Sequence, residues 1–140
     1  AGDTQPMHLI LSSRAAPQLV NNDESMRFLP DTEFLEKLHG LYGAVPQAIR
    51  ENAKLREIFL PILKADVTLL ETHDYVPGAP LGCPISVFGG GADPSISNDM
   101  LLAWREHTEA EFAHKMFPGD HFYLVPGKDA VIREVMALLL

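Results

Sequence analysis

Two short apolar runs constrain this fold more than any other feature. MHLILSS (residues 7–13) and the stretch Ile85 to Phe88 within PISVFGGG place apolar side chains at nearly consecutive positions, then stop at small residues. A strand with one wet face alternates apolar and polar residues. A short run without that alternation must be covered on both faces, as in a parallel sheet flanked by helices. A third strand is expected at FAHKMF, before Pro118-Gly119, although the preceding HTEAEFAHK could also continue a helix.

Helical patterns fill the intervals. Asp31 is placed to cap a helix in which Phe34, Leu35, Leu38 and Leu41 recur, with Gly40 and Gly43 marking its end. A short helix is expected from Pro46. A longer one is expected from about Ala53 to Glu71, with Leu55, Ile58, Phe59, Ile62, Leu63, Leu69 and Leu70 forming a wide apolar stripe. Pro61 should kink it, and Asp66, on the stripe's edge, should need a partner. Residues 14–30 and 76–84 are loops rich in proline, asparagine and glycine. Ser97 or Asn98 can cap a helix through Trp104, and Val131, Ile132, Val135, Met136 and Leu139 make a closing amphipathic helix. The order of strands and helices predicts an α/β fold, with extra helices inserted between the first two strands.

The 140 residues suffice for one domain. A net charge of -8 argues against a nucleic-acid binder. The apolar runs are too short to span a bilayer, and AGDTQPMHLI lacks the basic region and cleavage site of a signal peptide. Cys83 is the single cysteine, which fits a reducing compartment, so a cytoplasmic location is expected. The chain begins without methionine and enters a strand almost at once, which suggests a truncation; N-terminal processing is the alternative.

In a parallel α/β sheet, reacting groups gather at the carboxyl ends of strands. Asp93 follows the strand ending in GGGAD, and His121 follows the strand leading into FPGDHFYL. An aspartate that holds an imidazole in one tautomer makes a general base. Gly89, Gly90, Gly91 and Gly119 are expected to let the backbone turn sharply beside them. Read alone, Asp93 is equally well a turn cap and His121 a loop histidine; matched strand ends favour chemistry. The nucleophile is missing, because G-x-S-x-G does not occur. Ser12 and Ser13 end a strand, Ser86 lies inside one, Ser95 and Ser97 look like turn and cap residues, and Cys83 suits a small buried position. His107, Glu111 and His114 fall at helical spacing, but H-E-x-x-H is absent and a strand would separate them, so no metal site is expected. Glu71, His73 and Asp74 decorate a helix end. The stripe containing Phe59, Leu63 and Leu70 either lines an acyl pocket or forms the core of the helical insertion.

The stretches FLPDTEFLEKLHGLYGAVPQAI, LPILKADVTLLETHDY, PLGCPISVFGGGADP, LLAWREHT and FPGDHFYL stand in an order and spacing that resembles type II thioesterases, the discrete editing enzymes of polyketide and nonribosomal peptide synthesis. The resemblance runs from about Met7 to Leu140. It implies the carboxyl-terminal part of an α/β-hydrolase fold, with residues 30–75 as a helical lid. It implies that Asp93 and His121 are the acid and base of a Ser-His-Asp triad whose serine lies in an amino-terminal half absent from this sequence. Phe59, Leu63 and Phe122 are the expected substrate-binding residues. Where the family often has Gly-Gly-His, this chain has Gly119-Asp120-His121, and the extra carboxylate would favour a protonated imidazole.

The implied substrate is an acyl thioester on the phosphopantetheine arm of an acyl or peptidyl carrier protein, and no cofactor of the enzyme's own is expected. The stretch alone is expected to be inactive. An open edge on the first strand would favour self-association. Two other readings stay open: a fragment of a related esterase or acyltransferase, and a non-catalytic binding domain that uses the lid helices.

Overall fold

The computed structural model describes residues 6–19, 25–43 and 45–140. The chain divides into two compact units, residues 1–20 with 76–140 and residues 21–75.

The first unit is built on three parallel strands, β1 (Leu9–Ser12), β2 (Ile85–Gly90) and β3 (Phe112–Phe117), in the order β1-β2-β3. Leu9 pairs with Ile85, and Ile85 with Phe112. The ambiguous segment before Pro118 is thus a strand. β2 is central, and all six of its residues are buried. Strand periodicity sends Ile85 and Val87 to one face, where they pack with Leu101 and are flanked by Leu9, Leu11, Trp104 and Met116. Phe88 turns to the other face and packs with Phe117 and Tyr123. Among the described residues, the α-helices α4 (Asn98–Leu102) and α5 (Lys128–Leu139) join the sheet in this unit. The Ser97 hydroxyl caps α4 by accepting from the Met100 N–H, and a 3-10 turn, Ala103–His107, continues it. The apolar stripe of α5 is rotated from the expected one. Val131, Val135 and Leu138 face the Phe88–Phe117–Tyr123 cluster, while Ile132, Met136 and Leu139 are exposed.

The second unit is helical: α1 (Asp31–Tyr42), α2 (Gln47–Glu51) and α3 (Ala53–Thr72). Phe34, Leu35 and Leu38 of α1 pack with Met26, Val45, Ile49 and Val67. Several expected boundaries shift. Pro30, not Asp31, is the residue before α1, and Asp31 instead pairs with Lys64 Nζ at 2.7 Å, linking α1 to α3. Gly40 lies within α1; Gly43 ends it, at φ 66°, where a side chain would be strained. Pro46 precedes α2 and does not begin it. The side chain of Asn52 starts α3 by accepting from the N–H groups of Lys54 and Leu55. α3 continues through Pro61.

The α3 stripe does not act as a single core face. Val67 is buried and Leu55, Leu60 and Leu63 are partly so, but Ile58, Phe59, Ile62, Leu69 and Leu70 are exposed. The apolar residues cover more of the helix circumference than α1 and α2 can bury. Asp66 is exposed, which removes the desolvation that would have demanded a partner. Glu71 does more than decorate a helix end. Its carboxylate accepts from Ser25 Oγ (2.7 Å), Met26 N (2.5 Å) and Arg27 N (3.3 Å), tying the chain before α1 to the end of α3. Burial alone would raise its pKa. The hydrogen bonds from Ser25, Met26 and Arg27, with the Arg27 charge, outweigh this and hold it below the ordinary carboxylate value. Residues 21 and 22, the asparagine pair expected in this loop, lie outside the described residues. No helix among the described residues is long and apolar enough to cross a membrane.

Candidate active site

β2 and β3 run parallel, so their carboxyl ends lie side by side, and backbone hydrogen bonds lock the loops that leave them. Gly91 N–H donates to Phe117 O and Ala92 N–H to Gly119 O, both at 2.8 Å. This closeness explains Gly89 and Gly90 better than sharp turning does, whereas Gly91 begins the turn. A Cβ on Gly90 would stand 2.0 Å from the backbone oxygen of Asp120, and one on Gly89 2.4 Å from Leu101 Cδ1. Gly119 alone of the four has the left-handed backbone expected, at φ 125°.

This junction brings Asp93 and His121 together. His121 Nδ1–H donates to Asp93 Oδ2 at 2.8 Å. The other oxygen, Oδ1, accepts from Ser95 N (2.8 Å), Ser95 Oγ (2.6 Å) and Ile96 N (3.3 Å). Ser95 Oγ also lies 3.2 Å from His121 Nδ1. The Asp93 side chain is 1% exposed and that of His121 18%. Burial by itself would raise the Asp93 pKa, but the Ser95 hydrogen bonds and the contact with His121 more than offset it, leaving the carboxyl below its ordinary value. Asp93 is therefore a buried carboxylate with donors on both oxygens. An ionised carboxylate only accepts, so Nδ1 carries the proton in this contact. The arrangement can hold an imidazole in one orientation and tautomer, and can stabilise it once it is charged.

The loop carrying His121 is supported from β1. Tyr123 is fully buried, stacks on Phe117 at 5.2 Å, and its hydroxyl meets Ser12 Oγ at 2.7 Å. Burial raises the Tyr123 pKa, against the lowering effect of the Ser12 bond, so the phenol stays neutral. The Ser13 hydroxyl donates to the His121 carbonyl at 3.3 Å. Asp120 is exposed, and its Oδ1 accepts from Phe122 N–H at 2.9 Å, so this carboxylate shapes the turn. The Phe122 ring stands edge-on to the His121 ring, with centroids 5.1 Å apart.

The other residues singled out in the sequence take structural places. Ser86 is buried and bonded to His8 Nε2 at 2.9 Å. Cys83 is buried, and its carbonyl accepts from Thr108 Oγ1. His107 meets Gln18 Oε1 in a 3-10 turn, whereas His114 lies on β3. No metal-binding group of His, Cys, Asp or Glu occurs among the described residues. Phe59 and Leu63 lie on α3, where Leu63 packs against the core of the helical unit. Sequence reading placed Ser95 in a turn, as found, and named Gly90, but it missed the Ser95 hydroxyl bond to Asp93, the Tyr123–Ser12 contact and the close approach at Gly90. A D-x-S turn signal was present for Ser95, but the others depend on contacts between segments far apart in the chain.

The Thioesterase domain family model matches residues 3–139. The gramicidin S biosynthesis protein GrsT of Aneurinibacillus migulanus is 38% identical over 93% of this chain and 50% of its own length. Among solved structures, ClbQ from the colibactin NRPS/PKS pathway superposes with a TM-score of 0.86 at 33% identity, covering 96% of this chain and 56% of ClbQ. The type II thioesterase BorB from the borrelidin biosynthetic cluster gives 0.83 at 32% identity, covering 96% and 54%. The chain thus spans about half the length of these relatives. The parallel sheet with flanking helices is that of the α/β-hydrolase type, and the chain belongs to the thioesterase domain family.

Proposed function

We propose that the protein carrying these residues hydrolyses acyl groups from the phosphopantetheine thioesters of carrier proteins, as a type II thioesterase, with Asp93 and His121 as acid and base of a Ser-His-Asp triad. The observation that carries this is the 2.8 Å contact between a buried, ionised Asp93 and His121 Nδ1 at adjacent strand ends. The substrate class rests on relatives such as ClbQ, from a pathway described as NRPS/PKS, and GrsT, a gramicidin S biosynthesis protein.

With Nδ1 committed to Asp93, Nε2 is the nitrogen that exchanges protons. It takes the proton of a serine hydroxyl as that oxygen attacks the thioester carbonyl, and returns it to the departing pantetheine sulfur as the C–S bond breaks. The acyl-enzyme is then cleaved by water, which loses a proton to Nε2, and the serine oxygen is reprotonated as the acid leaves. Asp93 stays ionised throughout. G-x-S-x-G does not occur, and Ser12, Ser13, Ser25, Ser86, Ser95 and Ser97 are each engaged as described above, so the nucleophile is assigned to residues outside these 140, and the stretch alone is expected to show no serine-dependent turnover. The helical unit is assigned the part of a lid, with Phe59 and Leu63 on α3 and Phe122 beside His121 contacting the acyl group. The arm belongs to the substrate, so the enzyme needs no cofactor of its own, and carrier-bound substrates would be met in the cytoplasm.

Hydrolysis of an acyl-pantetheine thioester tests this in the protein that carries the whole triad. His121→Ala should lower kcat by about 10⁴-fold or more, and a serine-directed inhibitor should abolish the wild-type activity. Turnover that survives both would overturn the assignment.

A further inference from the structure

We propose that Ser95 is a positioning residue that holds the Asp93 carboxylate with Oδ2 towards His121. The inference rests on the triad reading above and adds a residue to it. The terminal torsion of an aspartate is soft and roughly two-fold, so a carboxylate held at one oxygen can swing. Here Oδ1 is held by three donors from one short segment: Ser95 N, Ser95 Oγ and Ile96 N. The hydroxyl bond is the shortest of the three, at 2.6 Å, and is charge-assisted. Ser95 gives its proton to Asp93, so its oxygen faces His121 Nδ1, 3.2 Å away, as an acceptor. The Nδ1–H therefore meets two acceptors, Asp93 Oδ2 and Ser95 Oγ, and both favour the same tautomer.

A plain turn does not need this hydroxyl. The two backbone donors already close the loop after Asp93, and both survive in Ser95→Ala. The hydroxyl contributes a bond to a charged group and a contact to the imidazole, and these concern the orientation of the pair.

The test is steady-state hydrolysis of an acyl-pantetheine thioester by the complete enzyme, with His121→Ala as the reference for loss. Ser95→Ala should lower kcat by about ten- to a hundredfold, the effect of one hydrogen bond to a charged group, with KM nearly unchanged. Ser95→Thr, which keeps the hydroxyl, should recover most of the loss. Wild-type kcat in Ser95→Ala beside an inactive His121→Ala would overturn the role of Ser95 and leave the triad reading standing. Equal losses in Ser95→Ala and Ser95→Thr, or a loss confined to KM, would also overturn it. Full activity in His121→Ala would sink the triad reading itself. Should Ser95→Ala not fold, Ser95→Cys supplies a near-isostere with a much weaker donor: a reduced kcat supports the proposal and an unchanged one overturns it.

Discussion

The sheet unit and the helical unit spend their apolar and polar groups in different ways. In the sheet unit, β2 is buried along its whole length and covered on both faces, and the loops at its end are bonded backbone to backbone. In the helical unit, α3 buries Val67 and leaves Ile58, Ile62 and Leu69 more than half exposed. A helix closes its own hydrogen bonds and tolerates a bare face, whereas a strand needs neighbours. Both units fix side chains that are far apart in the chain, Asp31 with Lys64 and Ser25 with Glu71 in the helical one, but only in the sheet unit do parallel strand ends set an acid beside a histidine, Asp93 and His121.

The largest effect is expected at Gly90, where the two strand ends meet. Gly90→Ala sets a Cβ 2.0 Å from the Asp120 backbone oxygen, where no flexible side chain can yield. Denaturant unfolding should show a loss of about 3 kcal/mol or more, and hydrolysis should fall with it because the His121 loop is displaced. A wild-type midpoint with wild-type activity would mean the strand ends are not rigidly joined.

Phe34→Ala removes a fully buried ring from the helical core, at a cost of about 3 kcal/mol locally. Native-state hydrogen exchange should speed up in α1 and α3 while β2 and β3 keep their protection. Equal loss of protection in β2 would show that the two units unfold as one.

Glu71→Gln should cost about 1–2 kcal/mol at neutral pH. Glu71 and Asp93 both titrate below their ordinary values of 4.5 and 3.8. Each therefore adds stability that is complete above those values and is lost as the pH falls through the lower folded-state value. Glu71→Gln should flatten the acid limb of stability below about pH 4.5 in the helical unit alone. An unchanged acid limb there would remove Glu71 as its cause. The smallest effect is expected from Ile58→Ser on the bare face of α3, within about 0.5 kcal/mol of wild type. A larger loss would mean that this face is covered in the working protein.

Legibility followed distance along the chain and not the division into units. Consecutive apolar residues in β1 and β2, and leucines at helical spacing in α1, are local signals, and they placed the elements. The pairing of Asp93 with His121 was also legible, because parallel strands bring their carboxyl ends to one edge. What stayed hidden depended on partners distant in the chain: the Glu71 carboxylate on residues 25–27, the Tyr123 hydroxyl on Ser12, and the Asp120 backbone beside Gly90. Gly89 and Gly90 were misread for that reason, since a turn is a local explanation and a close approach is not. The stripe on α3 stayed open between a pocket lining and a core face, because periodicity shows which residues share a face and not whether anything covers it.

Whether Asp93 and His121 work as a pair is read from kcat for acyl-pantetheine hydrolysis by Asp93→Asn in the complete enzyme. The substitution keeps the shape of the side chain and removes the charge that holds His121. A fall in kcat of about 10⁴-fold with an unchanged unfolding midpoint is the predicted result. A kcat close to wild type would contradict the assignment of Asp93 and His121 as a working pair.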